Sequence, residues 1–164
     1  MIFTGCGVKW ITRKNIMIDR VACPWLIQRF LDPDAQFLFV EEKNLLDSAL
    51  AEGATPFDAP RISKIRLNHR GSRCTFEALL HDYNLSNSAL TQLGLMVRAA
   101  DVKGQEGVAM EGPGLRALAQ GFAALGLTDE QRLAQQFPVY DALYQYCRAR
   151  KSGLPISIAW YGLT

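Results

Sequence analysis

The sequence predicts an α+β domain, mostly helical, with a few short strands in its N-terminal half. Three observations lead there. Apolar residues recur at helical spacing through the C-terminal half, as in Leu90, Leu93, Met96 and Val97. Short aromatic and β-branched runs bounded by turn residues, such as QFLFV at 36–40, cluster before residue 70. The 164 residues are 49% hydrophobic and 21% charged, an ordinary globular composition with length enough for one core.

Residues 1–8 read as a leader, 9–150 as the domain and 151–164 as an apolar tail. KWIT at 9–12 is the first strand. Asp19 is placed to N-cap a helix carrying Ala22, Leu26, Ile27, Phe30 and Leu31, with Pro24 in its first turn and Pro33 stopping it. QFLFV is a buried strand. Residues 41–52 read as a helix closed by Gly53, and 53–63, with two prolines, as a loop. KIRLN at 64–68 alternates like a strand. Helices follow over 75–83, with Glu77 in the first turn, and over 88–101. A glycine-rich loop at 103–114 precedes a helix at 115–125. Thr128 and Gln131 form a capping box for the last long helix, which Pro138 is predicted to kink.

Charge and motifs exclude several function classes. Eighteen basic against 16 acidic residues give +2, so a strongly basic nucleic-acid binder is not expected, and no nucleic acid is expected to bind this chain alone. No apolar run reaches the roughly 18 residues of a membrane helix. The N-terminus lacks the apolar region of a secretory signal, so the expected location is cytoplasmic. Cys6, Cys23, Cys74 and Cys147 form no CxxC pair and are expected to be reduced. The loop GQEGVAMEGPG has neither phosphate-binding glycine order, so no nucleotide or flavin cofactor is expected.

Three stretches carry polar residues of interest. In IDRVACPWLIQRF at 18–30, Arg20 and Arg29 lie beside an apolar wall. They read either as forks for an anion or as structural arginines paired to Asp19 or Asp32. In NHRGSRCTFEALL at 68–80, His69 ends the strand, Gly71 allows a turn and Thr75 opens a helix. The helix start with Arg70 and Arg73 makes an anion-friendly corner, while His69, Cys74 and Glu77 are metal-ligand types. The third stretch includes Asp101, whose carboxylate opposes the dipole at a helix C-terminus and calls for a metal, an arginine or exposure to offset it. The candidate binding residues are therefore Arg20, Arg29, His69, Arg73, Cys74 and Thr75. The candidate metal ligands are His69, Glu77 and Asp101, with a divalent ion as the candidate cofactor.

At DRVACPWLIQRFLDPDAQFLFV, NHRGSRCTFEALL and VYDALYQYC the chain resembles the chromate-resistance protein family, in particular its C-terminal (ChrB-type) domain. The resemblance runs from about Trp10 to about Arg148. It implies a link to chromate resistance, and fused members of the family act as chromate-responsive regulators. Asp19, Arg20, Cys23, Trp25, Arg29, His69, Gly71, Cys74 and Glu77 match the family pattern. Near Asp101 the family often has a histidine where this chain has Arg98. The expected role is a sensor or accessory domain for an oxyanion or a metal ion. The alternatives are a thiol- or metal-dependent redox enzyme acting on chromate, and a protein-interaction module that pairs as a homodimer or with a partner domain.

Overall fold

The computed structural model describes residues 7–151. Three strands and six α-helices follow in the order β1 (Lys9–Arg13), α1 (Ile18–Phe30), β2 (Gln36–Val40), α2 (Leu45–Glu52), β3 (Thr55–Pro56), α3 (Thr75–Asp82), α4 (Ser88–Asp101), α5 (Gly112–Ala124) and α6 (Asp129–Lys151). Single 3-10 turns precede α2, at Glu42–Asn44, and α5, at Glu106–Val108. The α+β, mostly helical architecture is the one the sequence predicts.

The sheet is parallel, in the order β2-β1-β3. Parallel neighbours need a crossover, and α1 carries the chain from β1 to β2. Central β1 splits its alternate residues between two cores. Ile11 joins Leu45, Ala49, Ala59 and Ile65 on the α2 side, while Trp10 joins the main core of α1 and the C-terminal helices. Helix α1 packs against α3, α4, α5 and α6 and is buried on nearly every side over its first ten residues. A helix apolar all round belongs at the centre of a fold.

Several expected elements differ. The N-cap of α1 is Met17, without a side-chain cap, and Asp19 lies inside the helix. Pro24 sits mid-helix rather than in the first turn. Helix α6 holds Pro138 in its interior, as expected. The glycine-rich loop is shorter than expected, because α5 starts at Gly112 with a proline in its first turn. There a Cβ on Gly112 would lie 2.4 Å from the Ala99 Cβ, so glycine lets α5 meet α4 closely. Of the expected leader and tail, residues 1–6 and 152–164 lie outside the described residues. Val8 is already tied in, its N–H donating to Asp32 and its carbonyl accepting from Gln36.

The strand expected at 64–68 does not form. Leu67 makes a single bridge to Phe57, and β3 is only two residues long. The period-2 pattern is real, but it comes from successive turns that bury Ile65 and Leu67 and expose Lys64 and Arg66. The Asn68 amide holds this loop. Its oxygen accepts from the Ala59 N–H at 2.7 Å, and its nitrogen faces the carbonyls of Ala59, Ile62 and Ile65 at 3.1–3.3 Å. Asn68→Ala should therefore cost about 2 kcal/mol, from buried groups left unpaired. Urea denaturation measures it, and a loss within a few tenths of a kcal/mol would show that the amide does not hold the loop.

Candidate functional site

Loop, sheet edge and two helix ends converge on His69. The imidazole is fixed from both sides in sequence. Asn68 precedes it, and a tight turn follows in which the Arg70 and Arg73 backbones exchange two hydrogen bonds of 3.0 Å around Gly71, whose φ is +59°. The Arg70 guanidinium anchors that turn on Asp82 through two contacts of 2.7 and 2.8 Å.

Three carboxylates meet the same ring nitrogen. His69 Nε2 lies 3.2 Å from Asp19 Oδ2, 3.3 Å from Asp101 Oδ2 and 3.4 Å from Asp58 Oδ1. Each arrives from a different element. Asp19 comes from the first turn of α1 and Asp101 from the last residue of α4. Asp58 follows β3 with a φ of 49°, a left-handed conformation that aspartate tolerates better than most residues. Asp19 and Asp58 are buried, and Asp19, Asp58 and His69 present ligand atoms all within 4.8 Å of one another.

The surrounding donors sort the carboxylates. Asp19 accepts the first two N–H groups of α3, Thr75 at 2.6 Å and Phe76 at 3.0 Å, and it accepts the Cys23 thiol at 3.3 Å. Asp58 accepts the Thr75 hydroxyl at 2.7 Å and faces Arg20 at 3.4 Å. Burial pushes the Asp19 carboxyl up to about 6, against the pull of His69. Burial acts on Asp58 too, but hydrogen bonds from His69 and Thr75 and the Arg20 charge outweigh it and hold that carboxyl below its ordinary value. Hydrogen bonds to Asp101, Asp19 and Asp58 push His69 up to about 12. One imidazolium N–H serves three carboxylate oxygens, so at least one oxygen lacks a full hydrogen bond from it.

The family model for the ChrB C-terminal domain matches residues 10–147. Protein ChrB of Cupriavidus metallidurans is 35% identical over 145 residues, which are 85% of this chain and 41% of that protein. This chain belongs to the ChrB C-terminal domain family. No solved structure matches it. Among the described residues, no helix is long and apolar enough to cross a membrane.

The ChrB-family residues singled out in sequence divide cleanly. His69 and Asp101 do come together, and the mismatch of Asp101 with its helix dipole is answered by the imidazolium. Glu77 does not join them. It accepts the Cys74 N–H at 3.0 Å, completing a capping box, and is clasped by the Arg98 guanidinium. Arg98 therefore serves that pair. Arg20 reaches Asp58 and the carbonyls of Arg13 and Lys14. Arg29 is spent at the far end of α1, about 13 Å along the axis, on two 3.0 Å contacts with Asp141, which also accepts the Trp25 indole. Arg73 is exposed on its turn.

The anion corner expected at the start of α3 is taken, because Asp19 and Glu77 consume its N–H groups and the Thr75 hydroxyl goes to Asp58. Cys74 is the helix cap, and burial pushes both its thiol and that of Cys23 well up. Cys23, Cys74 and Cys147 are unpaired, and Cys6 lies outside the described residues. Asp58 was missed by sequence reasoning. Its signal was an acid between Phe57 and Ala59, in a loop bracketed by two prolines.

The histidine has a pH consequence in metal-free protein. Its folded pKa lies above the unfolded value, so its stabilisation is complete below about pH 6.5 and is lost as pH rises toward the folded value. Unfolding free energy should fall by about 1 kcal/mol per pH unit between roughly pH 7 and 8, below the range in which unfolded thiols titrate, and by less than a full proton's worth because the ring is partly exposed. His69→Gln should flatten that slope. Equal slopes in the two proteins would contradict the arrangement.

Proposed function

We propose that this domain is the ligand-binding module of a chromate-resistance protein, and that its site takes a divalent cation at His69, Asp19, Asp58 and Asp101. The observation that supports this reading is the convergence of three carboxylates on one imidazole nitrogen. A proton on Nε2 offers one donor there, whereas a divalent ion offers several coordination positions and two charges. An oxygen-rich set with one imidazole suits manganese, iron or zinc. Asp19 and Asp58 are held by α3 and Thr75, so two of the ligands are oriented before any ion arrives.

A bare tetrahedral dianion is favoured less. It would face three carboxylates, while Arg20 already lies against Asp58 and Arg29 against Asp141. In this reading an oxyanion would approach only once a cation had offset the carboxylates, and the Arg20 and Arg13 guanidiniums, 3.4 and 3.8 Å from Asp58, would lie beside it. The redox alternative draws little support from the thiols, since raised pKa values disfavour the reactive thiolate.

The test is metal binding by metal-stripped protein, followed by calorimetry and thermal unfolding with manganese and zinc. Binding should strengthen as pH rises, because the ion displaces the His69 proton. At a free ion concentration of 100 times Kd the fold should gain about 2.7 kcal/mol. Asp101→Asn should weaken binding at least about tenfold, as loss of a ligand does. Glu77→Gln should leave affinity within about threefold of the parent. Absent binding, or equal losses in both variants, would overturn the reading.

A further inference from the structure

Helix α5 has an inward face and an outward face, and both are apolar. Gly112, Leu115 and Ala119 are buried against the body of the domain. The opposite face carries Gly114, Ala117, Leu118, Gly121, Phe122 and Leu125, which line a shallow groove of about 590 Å³. Their spacing of three and four residues makes one continuous stripe. Leu118 is 49% exposed and Leu125 63%. The outward face of a surface helix is ordinarily polar, and this one has no charged residue. Arg116, the one charge on α5, turns onto the Ala100 carbonyl and Glu106.

We propose that this stripe is a two-fold interface between two copies of the chain. The order of small and large residues singles out a second copy as the occupant. An antiparallel pair of α5 helices, with its axis midway between Leu118 and Gly121, sets Leu118 against Gly121 of the partner subunit. The same axis sets Ala117 against the partner's Phe122 and Gly114 against the partner's Leu125. Every small residue meets a large one, and the two-fold repeats each match. Ridges then enter grooves at the 8–10 Å separation of packed helices. Among the described residues, no atom beyond the helix's own backbone and the adjoining residues lies within 4 Å of where a Cβ would stand on Gly114 or Gly121. The absence of charge removes the like-charge repulsion that a two-fold imposes on a charged face.

One pair of 13-residue helices is smaller than the roughly 800 Å² per partner of a standard interface. Further apolar surface adjoins the start of α5. Met110, two residues before α5, is 95% exposed. Glu111 borders a second, almost wholly apolar groove on α6, formed by Pro138, Val139, Ala142 and Leu143. A weak-to-moderate dimer is the outcome such a face supports.

Sedimentation equilibrium of the full chain across the micromolar range tests the pairing. The parent should be in monomer–dimer equilibrium. Gly121→Leu sets leucine against leucine, and Leu118→Gly sets glycine against glycine. Each should raise the dimer Kd about tenfold or more. The double variant L118G/G121L restores a small residue opposite a large one and should return within about threefold of the parent. Circular dichroism confirms that each variant is folded, and Leu118→Glu, at a side chain already half in water, gives a second disruption should a glycine variant unfold. A parent that stays monomeric would overturn the proposal, as would a dimer that none of the variants weakens or a double variant no better than the singles.

Discussion

The Asp19 carboxylate binds the middle of this fold together. It stands in the first turn of the central helix yet accepts the first two N–H groups of α3, so it caps a helix 56 residues away in sequence. A helix start has four unpaired donors, and a carboxylate placed on them is favoured by both hydrogen bonding and the dipole. That contact fixes α3 against α1. It also positions Thr75, whose hydroxyl in turn holds Asp58. The carboxylate that builds the core therefore also builds the site, and the two cannot be separated by a single substitution there.

The same arrangement concentrates negative charge. Burying a carboxylate is costly unless charge and hydrogen bonds accompany it, and three of them share one imidazole edge. Arg20 relieves Asp58, and the α3 backbone relieves Asp19, but Asp101 has His69 as its ionic partner. The loop that delivers His69 is correspondingly stiff, with Asn68 satisfied on one side and the Arg70–Arg73 turn on the other. Such rigidity suits a group that must hold its position whether or not an ion is present.

Much of the helical frame was legible in the sequence, because α4 announces itself by period, α6 by its capping box and α3 by its first-turn acid. The sheet was half legible. β1 and β2 show as short apolar runs, but β3 is two residues ending in proline, below what alternation can reveal. KIRLN showed a true alternation that turns, rather than a ladder, produce. The site was legible only where chemistry contradicted local structure, as with His69 on a turn and Asp101 against its dipole. Asp19 looked like an ordinary cap because sequence shows the near helix and not the far one. Glu77 looked like a ligand because the Arg98 that claims it is 21 residues away. Asp58 gave no periodic signal, since its position depends on a left-handed backbone and on partners from three other segments.

The central claim is that the His69 cluster is a cation site, and anomalous diffraction from crystals grown with zinc or manganese tests it most directly. The account predicts one dominant anomalous peak among His69 Nε2 and the carboxylates of Asp19, Asp58 and Asp101, with ligand distances of about 2.0–2.3 Å. No peak there, with His69 still hydrogen-bonded to the three aspartates, would contradict it.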